Sequence, residues 1–251
     1  MPDFRAYAPQ ATADAREIRL DADESHHLVA VNRCSRGDPL VAFDGRGREW
    51  QCECTDAAKS GAVLTVKSTR QAPALPCAIT LAQALPKGST MDEIVRQATE
   101  LGAARIVPLL TGRTQVHLDG DRADRKVQKW RTTAIEAAKQ CGNPWVPEIA
   151  PVQKLDWLLT TAAKDYDLKL IASLHAGARP LRGVVAHWRT QHNRAPQRVL
   201  WLVGPEGDFS PPEMTACVMA GGVPVTLGPL VLRCDTAAVA ALSVLNYELS
   251  S

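Results

Sequence analysis

The chain of 251 residues carries 29 lysine and arginine residues against 27 aspartate and glutamate residues, a formal net charge of +2, and is 45% hydrophobic. This composition is typical of a globular protein with one large domain, or with a small domain and a medium one, and it excludes a disordered chain. No apolar run approaches the roughly 18 residues that a membrane-spanning helix needs, and the charged N-terminal segment lacks the apolar core of a signal peptide. We therefore expect a cytoplasmic protein with no membrane partner.

The cysteine content and the distribution of charge further limit the classes of protein to which the chain can belong. The seven cysteines are odd in number, irregularly spaced and without a CxxC pair, so the sequence predicts neither a disulfide framework nor a metal site. From residue 200 onward, Arg233 is the only lysine or arginine. The excess positive charge therefore lies in the first 199 residues, where a polyanion could bind, although a solvated surface of mixed charge would give the same distribution.

The first part of the chain, residues 1–70, has the pattern of a small β-barrel. Turn signals at Asp38-Pro39 and Asp44-Gly45 separate short segments of strand character. The predicted elements are strands over 40–43, 50–54 and 62–66 and a helix over 23–32. Two prolines and the absence of periodicity indicate a linker over 71–76.

Beyond the linker, over 77–251, predicted strands alternate with helices, which is typical of a mostly parallel sheet covered on both faces. Thr90 and Glu93 have the spacing of a capping box, and Gly102 has the position of a helix stop, so a helix is predicted between them. A long helix is predicted over 121–141, with Cys141 on its apolar face. The predicted strands lie over 78–85, 106–110, 168–174 and 199–203.

The most informative motif follows the apolar strand 199–203. In open parallel sheets, ligands bind beyond the carboxyl ends of the strands, and this strand ends in Gly204-Pro205-Glu206-Gly207. Ser210 and Glu213 have capping-box spacing, with Pro211 favoured at the first helical position. The motif is neither a phosphate loop nor a dinucleotide fingerprint, and a plain turn between strand and helix fits its spacing equally well.

A second motif has the same organisation. A short strand ends at Leu227-Gly228-Pro229, an apolar loop leads to Arg233, and Asp235 and Thr236 begin an alanine-rich helix. Taken alone, this segment is also what a core helix with an N-terminal cap would look like.

Together, the two motifs resemble the signature of the SPOUT methyltransferases: Gly204-Pro205-Glu206-Gly207, followed by Leu227-Gly228-Pro229, Leu232-Arg233 and Thr236-Ala237. Upstream, Gln97–Gly102 resembles the family that forms 3-methyluridine in 16S ribosomal RNA. Further residues and stretches that fit that family are His27-Leu28, Arg33, Gly37-Asp38, Phe43–Gly45, Arg113, Lys129-Trp130, Glu136–Gln140 and Val146–Ile149. The resemblance covers nearly the whole chain.

The resemblance implies an N-terminal PUA-like β-barrel that binds RNA and a C-terminal parallel-sheet α/β domain with a deep trefoil knot. The implied cofactor is S-adenosylmethionine, the implied substrate is 16S rRNA in the small ribosomal subunit, and the implied assembly is a homodimer whose partner completes each site. Residues implied to bind the cofactor are Leu174, His175, Leu202, Val203, Gly204, Pro205, Glu206, Gly207, Leu227, Gly228, Leu232, Thr236 and Ala237.

Three residues are the candidates for catalysis. Uridine N3 carries a proton and attacks poorly until it is lost, so the enzyme needs to stabilise the uracil anion or to accept the proton. Arg233 is the candidate for stabilising the anion, with a salt bridge to Asp235 or Glu206 as the alternative. Glu206 would orient the cofactor or its loop, or only bond within the turn. Asp235 would accept the proton, or only cap its helix.

The candidates for RNA contact are cations of the first two thirds of the chain, because phosphate contacts supply most nonspecific affinity. They are Arg5, Arg33, Arg113, Arg122 and Arg125. The chain departs from the family pattern at six positions, four of which remove positive charge or add negative charge. Leu230, Gln97 and Asn143 replace cations, and Asp208 replaces a glycine. Cys234-Asp235 replaces Thr-Glu. We expect an intact cofactor pocket and altered RNA contacts.

Two other readings remain open at this point. One is a SPOUT methyltransferase that acts on transfer RNA or on a ribose 2′-hydroxyl, which needs no N3 deprotonation. The other is a non-catalytic RNA-binding factor of small-subunit assembly, which the changes at Leu230 and Gln97 would favour. A nucleotide-dependent oxidoreductase is disfavoured because no glycine-rich fingerprint is present.

Overall fold

The computed structural model of the protein describes residues 4–116, 118, 120–173 and 177–249. The described residues form two compact units. One contains the chain up to Ala74 together with Ile135–Val146, and the other contains Leu75–Ala134 and the chain from Pro147 onward. The grouping of 135–146 with the first unit depends on long-range contacts, which the sequence pattern does not indicate.

The first unit is built around a five-stranded sheet with the order β1-β3-β4-β5-β2. Its strands are β1 (Phe4–Tyr7), β2 (Glu17–Arg19), β3 (Pro39–Phe43), β4 (Arg48–Asp56) and β5 (Val63–Gln71). Strands β1 and β3 are parallel, and the other pairs are antiparallel. The three predicted strands are confirmed as β3, β4 and β5, whereas β1 and β2 are too short to show a period-two pattern.

Two further features complete the first unit. Helix α1 (Ala22–His26) continues as a π-helical turn over His27–Val31, which confirms the predicted helix over 23–32. Asp21 caps α1 by accepting the backbone N–H of Glu24 at 2.8 Å. Trp50 and Leu64 lie in the core between the sheet and the helix, with Leu28 packed among them.

The second unit contains a parallel sheet with the order β11-β13-β10-β12-β6-β7-β8, and β9 also pairs with β7. The strands are β6 (Ala78–Ala84), β7 (Arg105–Leu110), β8 (Glu148–Ile149), β9 (Gln153–Lys154), β10 (Leu168–Ala172), β11 (Arg179–Pro180), β12 (Arg198–Val203) and β13 (Val223–Thr226). Every pair is parallel. The predicted mixed fold with a parallel α/β sheet is therefore confirmed, and the trefoil knot stays a prediction.

Helices cover the sheet of the second unit. They are α2 (Thr90–Glu100), α3 (Gly120–Cys141), α4 (Leu155–Trp157), α5 (Leu181–His192), α6 (Pro211–Met219) and α7 (Cys234–Leu249), with short π and 3-10 turns over Leu158–Ala162 and Ala163–Asp165. Helix α3 begins in this unit and its last residues belong to the first one. Helix α2 packs on α7, and α7 packs on β12 and β6.

Two local predictions are wrong, and a predicted strand is confirmed only in part. The capping box at Thr90 is wrong: α2 begins at Thr90, Ser89 precedes it without a side-chain cap, and the Glu93 carboxylate accepts from Arg96 instead. Cys141 is exposed because it lies at the end of α3, beyond the packed face. Strand β10 ends at Ala172, and the predicted strand residue 174 lies outside the described residues.

In the first unit, a buried ion pair between Arg5 and Glu49, extended by exposed Arg70, joins β1, β4 and β5. The side chain of Glu49 on β4 is only 1% exposed. Its Oε1 accepts from Arg5 Nη2 at 2.9 Å and its Oε2 accepts from Arg70 Nε at 2.6 Å. The Arg5 guanidinium also lies 4.9 Å from the centroid of the Phe43 ring. Removing one member of such a pair leaves the other charge unpaired in a medium of low dielectric constant.

Replacing Glu49 with glutamine should therefore lower the free energy of unfolding by about 3 kcal/mol, because Arg5 keeps its charge and loses its anionic partner. Urea denaturation followed by circular dichroism measures the change. Glu53→Gln on the same strand is the matched control, since its partner Lys67 is exposed and such surface pairs contribute less than about 1 kcal/mol. Equal effects of the two substitutions would contradict this account.

Candidate functional site

A cavity of about 410 Å³ lies at the carboxyl edge of the parallel sheet, beyond the ends of β10, β12 and β13. Its size is within the range of small-molecule sites. The lining residues come from three loops and from the start of α2: Thr90, Ala172, Ser173, Val203, Gly204, Pro205, Glu206, Asp208, Val225, Thr226, Leu227, Leu230, Val231, Leu232, Arg233, Cys234, Asp235 and Ala237. All of them belong to the second unit.

The loop after β12 is a tight turn. The backbone N–H of Asp208 donates to the Pro205 carbonyl at 2.8 Å, and Asp208 has a positive φ of 60°. A Cβ atom placed on Gly204 would lie 3.0 Å from both Asp208 Oδ1 and the Phe209 backbone nitrogen. Glycine at position 204 is therefore what allows the chain to turn back on itself and leave an open cavity beside the strand.

Glu206 links this turn to the loop after β6. Its Oε1 accepts the backbone N–H of Lys87 at 2.9 Å. The same loop leads through Ser89 to Thr90, which lines the cavity at the start of α2. The expectation that Glu206 orients a loop is therefore consistent with its observed partner, while a direct role toward the cofactor stays a prediction.

Glu213 links the turn to the loop after β7. Its Oε1 accepts the Gly112 N–H at 2.6 Å, and its Oε2 accepts the N–H and the hydroxyl of Ser210 at 2.8 and 2.7 Å. The predicted capping box at Ser210 is confirmed. Burial raises the pKa of Glu213, but these hydrogen bonds and the nearby charge of Arg113 outweigh burial, so the pKa lies below its ordinary value.

The second loop leads from β13 to α7. The Thr226 hydroxyl bonds with Gly228, and the Arg233 carbonyl accepts the Ala237 N–H at 2.8 Å to start the helix. The Arg233 side chain is exposed at the cavity. Within the described residues it forms no ion pair with Asp235 or Glu206, so the alternative interpretation of Arg233 as a salt-bridge residue finds no support here.

The structure brings most of the predicted cofactor residues together. Those that line the cavity are Val203, Gly204, Pro205, Glu206, Leu227, Leu232 and Ala237, with the catalytic candidates Arg233 and Asp235. Leu202, Gly207, Gly228 and Thr236 adjoin lining residues in the chain without lining the cavity themselves. Leu174 and His175 lie outside the described residues.

Several lining residues were missed by the sequence analysis. Asp208, Leu230, Val231 and Cys234 lie within the predicted motifs and could have been included on position alone. Thr90 has no local signal, because its place at the cavity depends on the packing of α2 against α7. Burial, helped by the charges of Glu206 and Asp235, raises the pKa of the Cys234 thiol and keeps it protonated.

The predicted RNA-contact residues fall into different environments. The prediction that Arg5 is a surface cation in contact with RNA is corrected, because its guanidinium forms the buried ion pair with Glu49. Arg113 is exposed, and its guanidinium donates to the Gly207 carbonyl, so it braces the cavity loop. Arg33 is exposed in the first unit, and Arg122 and Arg125 are exposed in the first turns of α3.

Comparisons with known proteins show the family of the chain. Residues 73–246 match the family described as RNA methyltransferase domain, and residues 20–67 match the RNA methyltransferase PUA domain. Ribosomal RNA small subunit methyltransferase E of Synechocystis is 32% identical over 97% of this chain and 77% of its own length. The protein of the same name in Bacillus subtilis is 30% identical over 98% of this chain and 95% of its own length.

Solved structures give the same result. A Legionella pneumophila protein in complex with the cofactor SAM has a TM-score of 0.87 and 31% identity, and the match covers 98% of this chain and 97% of that one. Ribosomal RNA small subunit methyltransferase E of Neisseria gonorrhoeae, bound to S-adenosyl methionine, has a TM-score of 0.86 and 28% identity over 99% and 98% of the two chains. The chain belongs to this family of RNA methyltransferases, with a PUA-like domain preceding the methyltransferase domain.

Among the residues that the structure describes, there is neither a metal-binding group nor a membrane-spanning helix. No group of three or more histidine, cysteine, aspartate or glutamate side chains within them is arranged to hold a metal ion. No helix within the same ranges has the length and apolar character that crossing a membrane requires.

Replacing Glu213 with glutamine should lower the free energy of unfolding by about 1 kcal/mol at neutral pH, because the cap and the link to Gly112 both weaken. The folded pKa lies below the ordinary value of 4.5, so the charge stabilises the fold above that pH. The stabilisation is lost as the pH falls through the folded pKa. The difference between wild type and variant in urea denaturation should therefore shrink below about pH 4.5.

Glu100→Gln on α2 provides the control for that measurement, since its partner Arg96 is a neighbour on the same exposed helix face. This variant should differ little from the wild type at either pH. A Glu213→Gln effect that does not change with pH would mean that the carboxylate charge is not what stabilises the loops.

Proposed function

We propose that the protein transfers the methyl group of S-adenosylmethionine to N3 of a uridine in 16S rRNA of the small ribosomal subunit, as a cytoplasmic homodimer. The observation that carries the proposal is the convergence of the two motif loops on one cavity at the sheet edge, with Arg233 exposed in it. Membership of the RNA methyltransferase family and the SAM bound in similar structures support the same cofactor and class of substrate.

The cavity residues fit the cofactor. Glycine at position 204, where a Cβ would lie 3.0 Å from the Phe209 nitrogen, lets the chain form the tight turn that lines one side of the cavity. Three acidic residues, Glu206, Asp208 and Asp235, line the cavity with one basic residue, Arg233. This excess of negative charge complements the sulfonium and ammonium groups of the cofactor. When bound, the cofactor supplies an electrophilic methyl group.

The residues of this chain would position and activate the acceptor. Uridine N3 becomes nucleophilic as its proton leaves, and the resulting negative charge spreads over the pyrimidine oxygens. The Arg233 guanidinium, exposed at the cavity and without an ion pair to Glu206 or Asp235 within the described residues, would donate to those oxygens. Asp235 lines the same cavity in the first turn of α7 and would accept the proton. Glu206 would hold the turn against the Lys87 loop.

RNA binding is assigned to the PUA-like first unit, with the predicted domain over 1–70, a linker over 71–76 and the methyltransferase domain over 77–251. Exposed Arg33 on the first unit, and Arg113, Arg122 and Arg125 on the second, remain the proposed phosphate contacts.

The test of the reaction is methyl transfer from labelled S-adenosylmethionine to small ribosomal subunits from a strain that lacks the enzyme. The RNA is then digested to nucleosides. Label in 3-methyluridine is the expected result. Label in another nucleoside or in a 2′-O-methyl ribose would replace the acceptor, and binding of cofactor and RNA without transfer would support the non-catalytic assembly factor.

Arg233→Ala should lower kcat by roughly a hundredfold to a thousandfold, the usual cost of losing one donor to a developing anion, with little change in cofactor affinity. Single-turnover kinetics and calorimetry separate the two effects. Arg182→Ala, which removes an exposed guanidinium from α5 in the same unit, is the matched control and should leave turnover unchanged. Full turnover by the Arg233 variant would show that this residue does not stabilise the uracil anion.

The proposed homodimer would use the exposed face of α7. Tyr247 is 82% exposed and Val244, one turn earlier, is also exposed, which is unusual for large apolar side chains on one helix face. Sedimentation should give twice the chain mass of 27.1 kDa. Tyr247→Glu should give the single-chain mass and lower methyl transfer, whereas an unchanged dimer would place the interface elsewhere.

A further inference from the structure

Two large apolar side chains are exposed at the cavity. Leu230 is 74% exposed and Val231 is 76% exposed, and both line the cavity in the loop between β13 and α7. They precede Leu232 and Arg233, so they lie within three residues of the proposed catalytic guanidinium. Isolated exposed apolar residues are common on proteins, but two adjacent ones at the rim of a ligand cavity indicate that something apolar covers them in use.

The charges around these side chains argue against a phosphate as the covering group. Three acidic residues, Glu206, Asp208 and Asp235, line the same cavity with one basic residue, Arg233. A phosphate at this rim would meet an excess of like charge. A nucleobase carries no net charge and presents a flat apolar face, so it fits both the apolar side chains and the acidic surroundings.

We propose that Leu230 and Val231 are substrate-binding residues that pack against the face of the target uracil after it has left the RNA stack. This inference rests on the proposed function, because it names the group that these two side chains contact during that reaction. A base must be unstacked before its N3 can enter a cavity, and unstacking costs free energy that contact with apolar side chains offsets. Phosphate contacts then lie away from this rim, on the exposed arginines.

The first test is the double variant Leu230→Ala, Val231→Ala. We expect KM for small subunits lacking the modification to rise roughly tenfold, since most of two apolar contacts is lost. Cofactor affinity by calorimetry, the salt dependence of kcat/KM and the sedimenting mass should not change. Met219→Ala is the matched control: Met219 is 83% exposed on α6 and does not line the cavity, so KM should stay at the wild-type value.

The second test, Leu230→Lys, gives opposite signs for the two candidate partners. A phosphate at this rim would bind the new cation, which would lower KM and steepen the slope of log(kcat/KM) against log(salt) by about 0.7. A nucleobase would lose an apolar contact, so our proposal predicts a higher KM despite the added positive charge, and a slope that steepens by much less.

Four outcomes would overturn the proposal: an unchanged KM in the double variant, weaker cofactor binding in it, a change in its mass, or tighter RNA binding by Leu230→Lys. Weaker cofactor binding would assign the side chains to the cofactor, and a changed mass would assign them to a second copy of the chain. The wild-type protein is assayed on the same subunits for label in 3-methyluridine. Failure of that assay would overturn the proposed function itself and is therefore distinguishable from failure of this inference.

Discussion

The cavity depends on a tight turn at Gly204, where a Cβ would come within 3.0 Å of two neighbouring atoms. The chain leaves β12 at Val203 and reverses direction by Asp208, whose backbone and carboxylate pack directly over Gly204. Two carboxylates connect this segment to neighbouring loops. Glu206, within the turn, accepts the N–H of Lys87, and Glu213, at the start of α6, accepts the N–H of Gly112. The loops after β6, β7 and β12 are thereby joined at one edge of the sheet, where the carboxyl ends of parallel strands already meet.

The chemistry of the cavity depends on its charged lining residues, of which three are acidic and one is basic. Three lining carboxylates favour a cationic cofactor, and the single guanidinium of Arg233 is available to an anionic acceptor because neither Glu206 nor Asp235 pairs with it among the described residues. Glu206 is engaged by the Lys87 backbone. In the proposed reaction, this separation of partners would let one small site attract a positive sulfonium group and still stabilise negative charge on a base. Leu230 and Val231 add an exposed apolar surface to the same cavity.

Local signals in the sequence predicted the parts of the site that depend on neighbours in the chain. The Ser210–Glu213 capping box and the strand ending at Val203 are examples, since each depends only on spacing within a few residues. The same spacing at Thr90 failed because the helix begins at Thr90 itself, with Ser89 before it, and the Glu93 carboxylate accepts from Arg96. The family resemblance, not the spacing, gave the cofactor and the acceptor.

Long-range contacts could not be predicted in this way. The bond between Lys87 and Glu206 joins residues 119 positions apart, and the bond between Gly112 and Glu213 joins residues 101 apart. Arg5 looked like a surface cation because nothing near it in sequence identifies Glu49, 44 residues later, as its buried partner. A charged residue therefore shows its role only when the fold places its partner.

Titration of S-adenosylmethionine into the wild-type protein and into Gly204→Ala, followed by calorimetry, tests the central claim most directly. The added Cβ would lie 3.0 Å from the Phe209 nitrogen and force the turn to shift, so the account predicts binding to the wild type and roughly tenfold or greater weakening in the variant. Gly183→Ala on α5, where a Cβ meets nothing within 4 Å, should bind like the wild type. Wild-type affinity in Gly204→Ala would contradict the claim that this turn forms the cofactor site.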